Sequence, residues 1–300
     1  MAAYDPHEGF VAPARPASAL IQTAAGFLAI EFLFGLGRSG LVWIAAGISP
    51  GFAQVLVARA TGAAILIDLF SFALLAALVI WVARRNHDRG ARSLIGPSAL
   101  ARQDFPRALG GALLILLAIE LVLFAPAESG ADMQSLPGWL LLLPVSAAAL
   151  LVQTGAEELF YRGYLQQQLA ARFSQRWIWL VVPNLIFASV HWYADQGHAA
   201  SVRYVVWAFF FGLAASDLVA RSGSLGAAVG FHMANNIFAF LVVGEAGAPD
   251  SGLALFLLPP RVVPGEGAAA PAEPILGLAI GVDLFLVLLL WLAVRVAIRR

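Results

Sequence analysis

The sequence predicts an all-α fold, a polytopic membrane bundle of about eight transmembrane helices. Of its 300 residues, 61% are hydrophobic and only 12% are charged, whereas soluble domains are about half apolar and about a quarter charged. Apolar runs of the roughly 20 residues that a bilayer span requires recur along the chain. Arginines cluster in alternate connections between these runs, as the positive-inside rule predicts for a membrane protein.

The apolar runs define eight predicted spans. They are residues 20–48, 61–83, 108–124, 137–171, 177–192, 202–220, 225–243 and 275–298. The connection 84–107 is rich in arginine, and the connection 244–274 is rich in Gly, Pro and Ala. Because arginine-rich connections remain in the cytoplasm, both termini are predicted to be cytoplasmic. We expect the membrane to be a bacterial cytoplasmic membrane.

The predicted domain organisation is simple. Residues 1–18 are polar and contain three prolines, so we expect a disordered cytoplasmic tail without the features of a signal peptide. Residues 19–300 form a single transmembrane domain. The net charge of zero gives no reason to expect nucleic acid as a partner. The absence of cysteine excludes disulfides, thiolate nucleophiles and cysteine zinc ligands.

Two adjacent carboxylates and an arginine follow a long apolar run, at Glu157, Glu158 and Arg162. An ionised carboxylate in a bilayer is costly unless a partner neutralises it. Glu158 and Arg162 are four residues apart and share a helix face, so we predict an ion pair between them. Glu157 points about 100° away on the same helix. Its carboxylate is therefore left to meet a neighbouring helix.

Two further polar groups lie on other spans, Phe187 and His191 on the fifth and His232 and Asn236 on the seventh. Within each group the two residues are four apart and share a helix face. A rise of about 1.5 Å per residue places all three groups at a similar depth. We expect the site to be reached from the cytoplasmic side. This convergence requires the fourth span to be one unbroken helix.

These residue types permit a narrow chemistry. A carboxylate and a histidine can activate water as a general base, and a second histidine with an asparagine amide can stabilise an oxyanion. Such a set can hydrolyse an amide without a covalent intermediate. Zn2+ bound by Glu157, His191 and His232 is the alternative, since two histidines and a glutamate are a common catalytic zinc set. The sequence contains no HExxH motif to favour it.

The three groups, in chain order on separate apolar helices, are Glu157-Glu158-x-x-x-Arg162, Phe187-x-x-x-His191 and His232-x-x-x-Asn236. They resemble the three motifs of the CPBP family, which comprises the CAAX prenyl endopeptidases and their Abi relatives. The resemblance covers about residues 137–244, the expected protease core. It implies an intramembrane endopeptidase, glutamate-dependent or metal-dependent, whose partners are the lipid bilayer and a peptide or membrane-protein substrate.

The resemblance also implies a role for each motif residue. Glu157 would activate water with help from His191, while His232 and Asn236 would stabilise the oxyanion. Glu158 and Arg162 would support and orient the site. Phe187 is expected to pack around the site without taking part in the chemistry.

Other functions remain open on the sequence alone. The chain could be a non-catalytic membrane protein of the same family that acts in bacteriocin immunity or as a scaffold. A transporter with an ion relay is less favoured because no inverted repeat is visible. Most of the further ionisable residues inside the spans are expected to be structural, to line a cavity or to lie near a membrane interface. The further residues are Glu31, Arg38, Asp68, Glu120, Asp217 and Asp283.

Overall fold

The computed structural model describes residues 3–123, 130–192, 198–260 and 277–300. Within these ranges the chain is almost entirely helical, which confirms the predicted all-α membrane bundle. The helices are α1 (Asp5–Val11), α2 (Leu20–Ile48), α3 (Pro50–Val57), α4 (Gly62–His87), α5 (Ala91–Ile95), α6 (Ser98–Leu123), α7 (Leu136–Arg172), α8 (Arg176–Ser189), α9 (His198–Ser222), α10 (Gly226–Val242) and α11 (Leu278–Ile298). A short 3-10 helix, Ala12–Ala17, follows α1.

The eight predicted spans correspond to α2, α4 and α6 to α11. Helix α6 begins at Ser98, ten residues before the predicted third span and within the predicted connection 84–107. In the described part of the chain, five helices are long and apolar enough to cross a membrane, namely α2, α4, α7, α9 and α11. Helices α8 and α10 are shorter and apolar. The last part of the predicted connection 244–274, from residue 261 onward, lies outside the described residues.

Helix α7 is the central helix of the bundle and packs against α4, α8 and α10. It runs for 37 residues without a break, or about 55 Å at the usual helical rise. The unbroken fourth span that the sequence required is therefore present. Its section Leu159–Gln166 is π-helical. Such wider turns inside α-helices occur frequently at functional sites.

Close packing brings α10 against α6. A side chain added at Gly226 would collide with the backbone of Ala101, and one added at Gly230 would collide with the backbone of Phe105. Glycine at these two positions lets the helix axes approach closely, as small residues do between membrane helices. This contact fixes the depth of α10, and with it the depth of His232 and Asn236.

The first residues differ from the predicted disordered tail. Residues 5–17 form α1 and the 3-10 helix, and Phe10 is only 1% exposed. The Tyr4 hydroxyl donates a hydrogen bond to Asp217 at 2.6 Å, and the Gln167 side chain donates to the Phe10 carbonyl. These partners are more than a hundred residues distant in sequence, so the local composition of the tail did not indicate them.

The bundle has two distinct ends. At the terminal end, Arg300 donates to Asp104 at 3.1 Å and to the Ser222 carbonyl at 2.7 Å, close to both chain termini. At the sheet end, three short strands lie in the order β1 (Asp132–Met133), β3 (Phe256–Leu258) and β2 (Val243–Glu245). Strand β3 pairs antiparallel with β1 and parallel with β2. An ion pair of 2.9 Å between Arg59 and Asp250 joins this sheet region to the start of α4.

Candidate active site

The three polar groups of the sequence meet at one cavity of about 160 Å3. Glu157 reaches it from α7, His191 from the residues just beyond α8, and His232 and Asn236 from α10. The Glu157 side chain is 15% exposed and the His232 side chain 6%. The four side chains therefore share a small space that can admit water and the reacting part of a substrate.

Glu158 and Arg162 form the predicted ion pair. Both side chains are 0% exposed, and Arg162 Nη1 donates to Glu158 Oε1 at 3.1 Å. Arg162 Nη2 also donates to Asn184 Oδ1 and to the Gly212 carbonyl, each at 3.1 Å. A side chain at Gly212 would collide with Asn184 Oδ1 and lie tightly against Arg162 Nη2. The buried arginine therefore links α7 to α8 and α9, a pair of partners that the sequence did not reveal.

Glu158 has a second partner, His232. His232 Nδ1 lies 2.8 Å from Glu158 Oε1. Because an ionised carboxylate can only accept a hydrogen bond, His232 carries a hydrogen on Nδ1. Its other nitrogen, Nε2, lies 3.7 Å from Glu157 Oε2. Glu158 thus sets the orientation of His232 as well as neutralising Arg162, and the sequence had assigned it only the arginine.

His191 lies at the end of a helix that is too short to cross the membrane. Helix α8 has 14 residues, or about 21 Å, against a hydrocarbon core of about 30 Å. His191 Nδ1 lies 2.7 Å from the carbonyl oxygen of Phe187, one of the carbonyls left unpaired at a helix C-terminus. A carbonyl only accepts, so Nδ1 carries the hydrogen and Nε2 of the neutral ring is an available base.

Phe187 contributes more than its backbone carbonyl. Its ring lies over the Arg162 guanidinium, 4.7 Å from ring centre to Cζ. It also contacts the rings of His191 at 4.6 Å and His232 at 6.3 Å between centroids. The ring therefore contacts the buried arginine and both histidines, and its packing role stays a prediction.

Asn236 is held by two neighbouring amides. Its Nδ2 donates to Gln153 Oε1 at 2.8 Å, and Asn235 Nδ2 donates to Asn236 Oδ1 at 3.1 Å. An amide nitrogen carries two hydrogens, so one hydrogen of Asn236 Nδ2 remains for a ligand. The sequence analysis missed Gln153, although it lies four residues before Glu157 on the same face of α7.

A larger cavity of about 720 Å3 adjoins the first. The two share Glu157, Phe187 and His191 among their lining residues. Glu31, Arg38 and Asp68 line the larger cavity, which is one of the positions predicted for the ionisable residues inside the spans. Asp217 is instead structural, because it accepts hydrogen bonds from Tyr4, Arg221 and Trp291.

The larger cavity extends toward the sheet end of the bundle. Its lining includes Leu56 and Val57 of α3, Arg59 just beyond α3, and Val190 at the end of α8. Val57 is 64% exposed and Val190 is 53% exposed, so within the part of the chain that the structure describes the cavity reaches the surface there. This differs from the expected access from the cytoplasmic side, if the termini are cytoplasmic. The sequence analysis calculated the depth of each polar group from the helical rise, and such a depth does not show at which end of the bundle the cavity opens.

The side chains do not form a ready-made metal site. Within the described ranges, no three His, Asp or Glu side chains are grouped so that they could hold a metal ion. The Nδ1 atoms of His191 and His232 are already engaged, and Glu157 is 3.7 Å from the nearest histidine nitrogen, His232 Nε2. A histidine whose Nδ1–H is hydrogen-bonded can still bind a metal through Nε2, so the zinc alternative stays a prediction, and no step of the chemistry below uses a metal.

Comparison with known proteins agrees with the motifs. Residues 138–238 match the family described as type II CAAX prenyl endopeptidase Rce1-like, and this range contains every motif residue of the cavity. The chain is also similar to the uncharacterized protein YyaK of Bacillus subtilis (strain 168), with 25% identity over 142 residues. That alignment covers 47% of this chain and 48% of the relative, about half of its length. No solved structure matches the chain.

Proposed function

We propose that this chain, whose residues 138–238 match the type II CAAX prenyl endopeptidase Rce1-like family, is an intramembrane endopeptidase. It hydrolyses a peptide bond of a membrane-associated substrate with water activated by Glu157 and His191. The observation that carries the proposal is the shared cavity, where a carboxylate, two oriented histidines and an amide donor converge from three helices. If the acidic and basic residues only formed a structural ion pair, the two histidines and the amide would not be needed beside them.

Water activation is assigned to the groups that can accept a proton. Glu157 is the carboxylate whose side chain reaches the cavity without a charged partner in its own helix, since Arg162 pairs with Glu158. His191 presents Nε2 as a second acceptor because its Nδ1 hydrogen is donated to the Phe187 carbonyl. The water oxygen attacks the substrate carbonyl carbon while its proton moves to the Glu157 carboxylate.

The resulting oxyanion is stabilised by donors from α10. Asn236 offers the hydrogen of Nδ2 that Gln153 does not engage. His232, whose Nδ1–H is held by Glu158, presents Nε2 to the same space and donates from it when that nitrogen carries a hydrogen.

Collapse of the tetrahedral intermediate completes the reaction. The carbon–nitrogen bond breaks, and the proton held by Glu157 passes to the leaving amine. The Glu157 carboxylate is regenerated, and water has been added across the peptide bond. No covalent bond to the protein forms at any step, in keeping with a chain that has no cysteine.

Cleavage by the purified protein in liposomes tests this function. Two probes are a farnesylated peptide ending in a CAAX sequence and a single-span membrane peptide, with products identified by mass spectrometry. We expect cleavage by the wild type, loss of about 100- to 10,000-fold in Glu157→Gln and His191→Ala, and full activity in Glu120→Gln. Glu120 is a matched control because it is a glutamate within the α6 span. Full activity in Glu157→Gln and His191→Ala would exclude the mechanism.

The same preparation tests the two alternatives left by the sequence. A chelator should leave cleavage unchanged if water is activated by Glu157 and His191, whereas loss that added Zn2+ restores would show metal dependence. A non-catalytic scaffold would cleave neither probe. It would also retain its cellular phenotype in Glu157→Gln, which the proposed peptidase would not.

A further inference from the structure

The two ends of the bundle differ in charge. Within the described residues, the terminal end holds most of the arginines, and the sheet end holds Arg59 and Arg203. Those at the terminal end are Arg15, Arg84, Arg85, Arg89, Arg92, Arg102, Arg107, Arg172, Arg176, Arg221, Arg295, Arg299 and Arg300. Because arginine-rich segments stay on the cytoplasmic side, this asymmetry places the terminal end in the cytoplasm and the sheet end on the opposite face.

The larger cavity connects the catalytic groups to the sheet end. Its lining joins Glu157 and His191 to Ser39 of α2 and to Val57 at the end of α3. Arg59, just beyond α3, lines both this cavity and the smaller one. Ser39 lies nine residues before Ile48, the last residue of α2, or about 13 Å along the helix. Because its lining on α2 runs from Glu31 to Val42, the cavity extends from near the middle of that helix toward the sheet end.

At the terminal end, the region beneath the site is closed by packed polar side chains. Tyr164 is buried and its hydroxyl lies 3.0 Å from His87 Nε2. Gln167 is buried and donates to the carbonyls of Phe10 and Ser93. Helix α1 and the 3-10 helix lie over this region, so the described chain covers the cytoplasmic approach to Glu157.

The wall of the larger cavity indicates what kind of ligand fits. Most of its lining is apolar, with Phe34, Phe72 and Phe160 among the large side chains. The polar part is a chain of ion pairs in which Asp68 binds both Arg38 and Arg59. A volume of about 720 Å3 is within the usual range for clefts that hold a compact ligand. A short extended polypeptide segment with apolar side chains matches this shape and lining.

We propose that the site opens to the face of the membrane opposite the cytoplasm, and that its substrate is an apolar segment of a membrane-anchored polypeptide presented from that face. The substrate part of this inference rests on the proposed peptidase function. The direction of the opening does not, because it follows from the cavity lining and the arginine distribution. A prenylated tail on the cytoplasmic surface would meet the covered end of the bundle.

Cysteine labelling in intact cells tests the direction, since the chain has no native cysteine. Three single-cysteine variants are compared with a maleimide that does not cross membranes. Ser39→Cys probes the cavity, Val57→Cys the sheet end, and Arg92→Cys, an exposed position in α5, the terminal end. We expect Ser39→Cys and Val57→Cys to react in intact cells and Arg92→Cys to react only after permeabilisation.

Either of two results would overturn the direction of the opening. One is reaction of Arg92→Cys in intact cells. The other is a Ser39 thiol that reacts only after permeabilisation or only after denaturation, which would show that the cavity is not open to water from the outer face. Labelling after denaturation confirms that each thiol is present, and thermal unfolding in detergent confirms that each variant is folded.

A pair of reporters then tests the substrate class. The same apolar segment is placed on the outer or the cytoplasmic side of a single membrane span, and cleavage is compared with that in the Glu157→Gln variant. We expect Glu157-dependent cleavage of the outer reporter alone. Cleavage of the cytoplasmic reporter alone would overturn the substrate class. If Ser39→Cys is labelled in intact cells but neither reporter is cleaved, the result would contradict the peptidase function and would still support the direction of the opening.

Discussion

The two faces of α7 show how neighbouring residues acquire different roles. On one face, Glu158, Arg162 and Gln166 are each 0% exposed and contact α8, α9 or α10. On the other face, Glu157 and Tyr161 line the larger cavity. Both faces carry a carboxylate in the interior of a membrane protein. The first carboxylate has two fixed partners, and the second faces a space that water and substrate can occupy.

The comparison shows that the number of fixed hydrogen-bond partners, and not the charge alone, distinguishes a structural carboxylate from one that can react. The Glu158 carboxylate is bonded by Arg162 and His232, so it cannot move toward a substrate without leaving a buried cation unpaired. Glu157 has no hydrogen-bond partner of that kind among the described residues, and its 3.7 Å separation from His232 Nε2 leaves it free to act on water.

The largest expected effect on stability tests the packed face. Arg162→Met leaves Glu158 buried without its guanidinium, and removing one partner of a buried pair costs about 3–5 kcal/mol. Denaturant unfolding in detergent measures the loss. Glu157→Gln is the matched variant on the cavity face and should change stability by less than about 1 kcal/mol. Equal losses in the two variants would show that both faces have the same structural role.

The next effect concerns catalysis on the α10 side of the cavity. Asn236→Ala removes an oxyanion donor, so kcat should fall about 100- to 1,000-fold with KM little changed. Asn235→Ala is the control, since Asn235 donates only to Asn236 among the hydrogen bonds described here, and it should lose far less. A rise in KM with unchanged kcat in Asn236→Ala would show that Asn236 binds substrate without stabilising the oxyanion.

A smaller effect is expected from the cap at the terminal end. Burial lowers the pKa of His7 from 6.5 to about 4. The unfolded chain therefore binds more protons than the folded chain between these values. As far as His7 is concerned, the free energy of unfolding has its full value above about pH 6.5 and falls as the pH decreases toward 4. The expected loss between pH 7 and pH 5 is about 2 kcal/mol, measured by thermal unfolding.

His7→Phe separates this titration from other effects of acid. The His7 ring lies 4.4 Å from the Trp179 ring and 6.1 Å from the Phe10 ring, so phenylalanine can keep the ring packing while removing the titrating group. The variant should lose most of the pH dependence of stability between pH 7 and pH 5. An unchanged dependence would assign it to other groups.

The smallest effect is expected at the exposed ion pair between Arg15 and Glu8. Their side chains are 51% and 70% exposed, and exposed pairs are worth about 0–1 kcal/mol. Arg15→Gln should therefore leave both stability and cleavage within error of the wild type. A substantial loss would show that the cap depends on this pair, in contrast to the buried contacts of Phe10 and Tyr4.

Local patterns were sufficient for much of the fold and part of the site. Eight apolar runs gave eight helices, and the spacing of four between Glu158 and Arg162 gave their ion pair. The same spacing placed His232 and Asn236 on one face, where both line the cavity. These features depend on helical geometry within one segment, which the sequence alone determines. The catalytic roles assigned to these residues remain predictions.

Tertiary structure decided the features that depend on distant segments. The bonds from His232 to Glu158 and from Asn236 to Gln153 join residues 74 and 83 positions apart. The N-terminal cap and the direction of the larger cavity likewise depend on how helices pack against one another. Hydropathy specifies that a segment lies in the membrane, but side-chain packing between helices specifies its neighbours. The sequence alone therefore gave Glu158 a partner in its own helix, Arg162, and left Glu157 without one. Only the structure showed that Glu158 also bonds to His232 and that Glu157 faces the cavity.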